Sequence, residues 1–372
     1  MSGVYAKRTH FQETKIPEGT ARKVKSIGTR LCIITSNMDA KESAPLQMAE
    51  LLKSHIPFTV FAPDRYDLKP FVFVLNISTL TGSTSLKLSD HHRLRHASNN
   101  EIALVKDMLT SSVGRGNSES IWEDHKPKSG KYVKLPKKEW QYFVIELKGD
   151  EDPEILEQAL AISPRDLDIG LIVRRATLNG VALTTCSYHP ARLFQSIEAL
   201  KHGRAVAEPV TKIQAQQMGA VYARLQSHDH NIVDLRRVVS LVLEMKDLPL
   251  FSALQFLGYF AVLESLLTHP PKPTDPYESI TRQIKKKLAL LDKRWQPALD
   301  YSSFANVPYE KVWSSMYAYR SALAHGGIPD FKKELAVLGN ERNAHALLRQ
   351  TVKRVISQTL QEPDLIADLQ NC

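Results

Sequence analysis

The sequence predicts an α+β chain of two domains, a mixed α/β half followed by an all-α half, and three observations carry the prediction. Up to about Leu200, short runs rich in β-branched and aromatic residues alternate with helical segments. Past Lys201, apolar residues recur at helical spacing with few breaks as far as Gln361. A length of 372 residues also exceeds what one hydrophobic core ordinarily fills, about 250 residues. The boundary falls between residues 204 and 205, inside the Gly/Pro-marked joint His202-Gly-Arg-Ala-Val-Ala-Glu-Pro209.

Residues 1–30 form a basic segment, with seven Lys/Arg against two Glu. Strands are then expected at Leu31–Thr35, Phe58–Phe61, Phe71–Ile77, Tyr142–Leu147, Asp168–Val173 and Val181–Cys186, each bounded by Pro, Asp or Gly. Helices are expected between them at Leu46–Ser54, Asn100–Thr110 and Asp152–Ile162. The polar stretch Ser111–Lys138 reads as a long loop, and Asp90–His96, with three His, as a polar turn. In the second half, helices are expected at Lys212–Ser227, Val233–Lys246, Leu250–Thr268, Pro276–Leu291, Pro308–His325 and Phe331–Gln358. No fixed-period repeat is present, so these helices form a bundle rather than a solenoid.

Composition narrows the function classes. Hydrophobic residues at 43% and charged residues at 24% are ordinary for a soluble globular protein. No apolar run is long enough to span a membrane, and the first residues lack a hydrophobic signal region, so a cytoplasmic protein is expected. Three cysteines, Cys32, Cys186 and Cys372, are too few for a disulfide framework or a Cys-based zinc site. The net charge of +9 favours an anionic partner. That excess is shared by both halves, with local concentrations at Lys126, Lys128, Lys131, Lys134, Lys137 and Lys138 and at Lys285, Lys286 and Lys287. Such runs can follow a phosphate backbone, and they can equally be solvated surface.

The chemistry concentrates in Met316-Tyr-Ala-Tyr-Arg-Ser-Ala-Leu-Ala-His-Gly-Gly327. Arginine holds a phosphate through two hydrogen bonds and keeps its charge, while histidine exchanges protons near neutral pH. Arg320 and His325 supply both groups within one helical segment. Gly326 and Gly327 suit a left-handed helix end just past His325.

With Phe256-Leu-Gly-Tyr-Phe-Ala-Val-Leu-Glu-Ser-Leu-Leu-Thr268 and the basic helix Ile280–Leu291, this segment resembles the HEPN superfamily, most closely its Apea-like branch. The likeness covers roughly residues 205–360. It implies a four-helix core that pairs into a homodimer and cuts RNA without a metal or other cofactor. Its motif falls on Arg320 and His325, and its first-helix carboxylate on Glu264, which orients the arginine. Many active relatives carry Asn, Asp or His directly after the arginine; this chain has Ser321. The resemblance also implies a setting in bacterial anti-phage defence or growth arrest. The α/β half would then sense a phage or host trigger.

Other readings compete. Glu146-x-Lys148 closes an apolar strand, as in PD-(D/E)xK nucleases, with Asp124 as a second metal ligand. A non-catalytic HEPN protein that dimerises and binds nucleic acid is a third class. Cys186 and His189, three residues apart, read as a buried thiol near a turn rather than a nucleophile and its base.

Overall fold

The computed structural model describes residues 31–33, 59–63, 68–113, 120–125, 133–149, 152–178, 181–270, 279–305 and 307–372. The predicted helix Leu46–Ser54 and the basic segment 1–30 lie outside them. The N-terminal region is mixed α/β and built on a sheet; the C-terminal half is largely helical.

The strands are β1 (Leu31–Ile33), β2 (Thr59–Pro63), β3 (Phe71–Val74), β4 (Ile77–Leu80), β5 (Ser85–Lys87), β6 (His92–His96), β7 (Asp124–His125), β8 (Val133–Lys134), β9 (Phe143–Leu147), β10 (Ile169–Leu178), β11 (Val181–Ser187) and β12 (Glu208–Val210). Eight of them form one sheet in the order β1-β2-β11-β10-β3-β9-β6-β5. Among the described pairs of this sheet, only β1–β2 is parallel. The helices are α1 (Asn99–Val113), α2 (Ser120–Glu123), α3 (Pro153–Ile162), α4 (Pro190–Lys201), α5 (Lys212–Ser227), α6 (Leu235–Lys246), α7 (Ala253–Leu267), α8 (Ile280–Arg294), α9 (Tyr309–Ala324), α10 (Glu341–Gln361) and α11 (Pro363–Asn371).

The unbroken apolar run Phe71-Val-Phe-Val74 follows from its central place, because a strand covered on both faces has no polar side. Phe71 and Phe73 join Leu104, Met108, Leu193 and Ile197 under α1 and α4. Val72 and Val74 face the other way, into a core shared with α3, α5 and the helices beyond. That second core runs without a break through Leu156, Met218, Val239, Phe256, Leu288, Trp313 and Val352. It therefore crosses the expected boundary at 204/205. β12, just past that point, pairs in parallel with β4. Helix α5 approaches the sheet so closely that a Cβ on Gly219 would lie 1.7 Å from the Leu88 carbonyl oxygen.

Buried charge also ties the halves together. Arg192 on α4 bonds Glu157 on α3, donates from Nε to Asp247 Oδ1 at 2.9 Å, and from Nη2 to the Leu243 carbonyl at 3.2 Å.

Several expectations are corrected. The single strand Phe71–Ile77 is two strands, broken at Asn76, whose side chain donates to the Asp166 carbonyl and accepts from the Asp168 N–H. The expected polar turn Asp90–His96 contains strand β6: His92 and Leu94 point inward, and Arg95 opposite them is neutralised by Glu101 and Glu146. The expected helix Phe331–Gln358 starts only at Glu341, where the Asn340 side chain accepts from the Asn343 N–H. Ahead of it lie turns and the short 3-10 segment Ala336–Leu338, closed by Gly339 at φ 69°. Within Ser111–Lys138, α1 continues to Val113, and α2 and the β7–β8 pair provide regular structure.

Candidate functional site

Helices α7 and α9 pack through aromatic side chains, with Phe256 against Tyr319 at a centroid distance of 4.4 Å and Phe260 flanked by Trp313 and Tyr317. This packing sets Glu264 beside Arg320. Arg320 Nη2 lies 3.2 Å from Glu264 Oε1 and 3.4 Å from Oε2, so one guanidinium nitrogen straddles both carboxylate oxygens. The rest of the fork is not engaged by Glu264. Both side chains are partly open, at 29% and 20% exposure. The Arg320 guanidinium also sits 5.7 Å from the centre of the Tyr317 ring. Tyr317 was not singled out from sequence, although its i,i+3 spacing from Arg320 places both on one helix face.

His325 ends α9. It occupies the C-cap position at φ −96°, and its own N–H reaches the Ser321 carbonyl at 3.1 Å. Gly326 then turns left-handed at φ 71°. The Gly326 N–H donates to Leu323 and the Gly327 N–H to Ala322, the paired bonds of a Schellman closure. The expected glycine cap is thus present, and it leaves the His325 side chain exposed. Five residues along a helix turn two side chains about 140° apart, so Arg320 and His325 of one chain do not converge. Ser321 is half-buried beside them, and Ile328, just past the glycines, is 95% exposed.

The basic candidates divide. Lys126, Lys128 and Lys131 lie outside the described residues. Lys134, Lys137 and Lys138 are exposed; Lys134 is 3.6 Å from Glu123, and the Lys137 ammonium lies 5.9 Å from the Trp140 ring centre. On α8, Lys286 is exposed and Lys285 donates to Ser314 Oγ at 3.1 Å. Lys287 is buried, its ammonium 3.4 Å from Gln283 Oε1, so it is a core residue rather than part of a basic surface.

Glu146 and Asp124 stand on strands of different sheets. Strand β9 pairs with β3 and β6, while β7 pairs with β8 in a separate ribbon. Arg95 Nε donates to Glu146 Oε2 at 3.3 Å while its other nitrogens grip Glu101. Among the described residues, no three His, Cys, Asp or Glu side chains are grouped to hold a metal ion. The three histidines of Asp90–His96 disperse: His92 is buried against Tyr222, and His96 stacks near Phe143. Cys186 is fully buried, and burial pushes its thiol up to about 12. No protein-family model, no curated protein and no solved structure matches this chain.

Proposed function

We propose that the chain is a metal-independent endoribonuclease of HEPN type, acting as a homodimer through its helical half. The observation that carries this reading is the Glu264–Arg320 pair, an arginine held from one side by a carboxylate and open on the other. Five positions later, His325 stands exposed at the helix end.

In the proposed reaction the substrate brings its own nucleophile. The RNA 2′-oxygen attacks the adjacent phosphorus, the P–O5′ bond breaks, and the products are a 2′,3′-cyclic phosphate and a 5′-hydroxyl. One His325 accepts the 2′-hydroxyl proton, and the partner's copy protonates the departing 5′-oxygen. Arg320 stabilises charge on the non-bridging oxygens, and Glu264 fixes its direction. The 140° divergence within one chain is relieved when two copies of α9 face each other, and the exposed Ile328 beside the motif supplies apolar surface for such a contact. A role in bacterial anti-phage defence or growth arrest, in the cytoplasm, belongs to the same proposal. The sheet region then receives the phage or host trigger.

The test is cleavage of single-stranded RNA by purified protein in excess EDTA. Arg320→Ala and His325→Ala are each expected to lower the rate at least ~100-fold. Cleavage that both variants retain, or that EDTA abolishes, sinks the reading.

A further inference from the structure

Glu123, at the end of α2, is buried, and groups from three other parts of the chain meet its carboxylate. The Lys106 ammonium, from α1, pairs with Oε1. The Tyr142 hydroxyl donates to the same oxygen at 3.1 Å, and Lys134 Nζ, on β8, lies 3.6 Å from Oε2. One sequestered acid therefore holds two lysines in place and neutralises the charge of only one.

Lys106 also reaches Trp140, its Nζ lying 4.6 Å from the ring centre. Lys137, in the 3-10 turn Lys137–Glu139, comes within 5.9 Å of the same ring. The indole N–H is spent on the Leu135 carbonyl at 3.0 Å, and the ring packs against the core beneath α1 and α4. Trp140 is thus anchored from behind with part of its surface left open, and Lys134, Lys137 and Lys138 around it are exposed. From Glu123 to Trp140 the sequence carries six lysines against three carboxylates. Lysine stems cover half-open rings on many solvated surfaces. Here the ring and its nearest lysine are held by buried partners, so little freedom is left to lose on binding, and the surplus of positive charge stands beside them.

We propose that Trp140, with Lys106, Lys134, Lys137 and Lys138, forms a platform for single-stranded nucleic acid. An unpaired base stacks on the indole, and the lysines follow the neighbouring phosphates, the combination that gives sequence-tolerant single-strand binding. Lys137 sits at the outer limit of contact with the ring, and its long stem lets it swing aside as the base arrives. A duplex keeps its base faces covered, so the platform selects single strands. The site is separate from Arg320, whose helix packs through Met316 and Tyr319 into the other core, on the opposite face of the sheet. The platform lies in the region assigned above to receiving a trigger. That role rests on the ribonuclease reading; the binding itself does not.

The experiment is fluorescence anisotropy on the full chain with short labelled oligonucleotides, one of DNA and one of 2′-O-methyl RNA. Neither offers a 2′-hydroxyl, so neither is cut by the proposed reaction. The wild type is expected to bind, with affinity falling as salt rises. Lys137→Gln combined with Lys138→Gln should make the slope of log affinity against log salt shallower by about 1.4, two phosphate contacts at ~0.7 each on a single strand. Trp140→Leu, which keeps an apolar fill, should weaken binding at least about fivefold through the lost stack. The exposed lysine pair keeps the test decisive if Trp140→Leu does not fold. Tighter binding of one oligonucleotide identifies the strand chemistry, and equal affinities assign recognition to stacking and phosphate contact alone. The proposal is overturned by a wild type that binds neither strand, by lysine-pair and Trp140 variants that bind as the wild type does, or by a duplex held as tightly as the single strand. A polyglutamate peptide bound more tightly than either strand also overturns it and marks the face as a dock for acidic protein. A chain that binds the oligonucleotides but does not cut RNA leaves this proposal standing and defeats the ribonuclease reading; one that cuts RNA with binding unchanged in the variants does the reverse.

Discussion

Two single residues carry consequences that substitution can expose. Glu264 contacts Arg320 through one nitrogen only, so in the proposed reaction it would act by directing the arginine rather than by touching RNA. Glu264→Gln is expected to slow cleavage by about tenfold to a hundredfold, in line with a misplaced catalytic group. Glu264→Asp should recover part of the loss if the charge matters, and a rate unchanged in Glu264→Gln would remove its assigned role. His345 is the other. It is buried between Phe251 and Phe256, and among the described residues neither ring nitrogen has a hydrogen-bond partner; a Glu341 oxygen lies 4.0 Å away. Burial first, and Arg349 second, lower its pKa from 6.5 to about 4. Between those values the unfolded chain binds the proton and the folded chain does not. Stability therefore falls as pH drops through that window, by at most ~1.4 kcal/mol per pH unit from this group. His345→Leu is expected to flatten the acid limb of urea-denaturation midpoints between pH 6.5 and 4.5, and parallel limbs in both proteins would refute this.

At the scale of elements, helix ends decide where the candidate groups stand. Gly326 adopts φ 71°, which an L side chain occupies at a cost of about 1 kcal/mol, so Gly326→Ala should lower the unfolding free energy by that amount and shift the denaturation midpoint down. Gly327→Ala strains the same closure by a different route, because its Cβ would lie 3.2 Å from the Ala322 oxygen. An unchanged midpoint in both variants would show that this closure does not stabilise α9. Caps also explain which helices were legible. α5 begins at Thr211, whose reciprocal bonds with Gln214 complete a capping box, and its bounds Lys212–Ser227 were read directly from the residues. The sequence predicts an earlier start for α10 because Phe331, Leu335 and Leu338 continue an apolar periodicity. In three dimensions they pack as turns against α9 and the core.

At the scale of the molecule, one of the two apolar cores is shared by the sheet and the C-terminal helices, and buried ion pairs link them as well. Removing one partner of such a pair leaves the other charge uncompensated, typically a loss of ~3–5 kcal/mol. Arg192→Ala is expected to fall in that range, measured by chemical denaturation. The shared core also predicts one calorimetric transition for the whole chain. Residues 205–372 made alone would leave Met218, Val221 and Tyr222 without their sheet-side cover and should bind a hydrophobic dye. Two resolved transitions, or a cooperative melt of that fragment, would contradict the shared-core account.

From the sequence alone came the mixed α/β first half, the helical second half, and most central elements. It also placed Glu264, Arg320 and His325 on helices and a glycine cap after the histidine. Those features are local: periodicity, β-branched runs and caps are written within a few residues of where they act. What only the tertiary structure decided is long-range. The order of the eight strands, the hidden strand bearing His92, the burial of Lys287 and the gathering of Asp166, Lys246 and Lys353 each join residues far apart in the chain. No spacing rule reaches across those separations, because a partner there is chosen by packing of whole faces and by the cost of leaving buried charge unpaired.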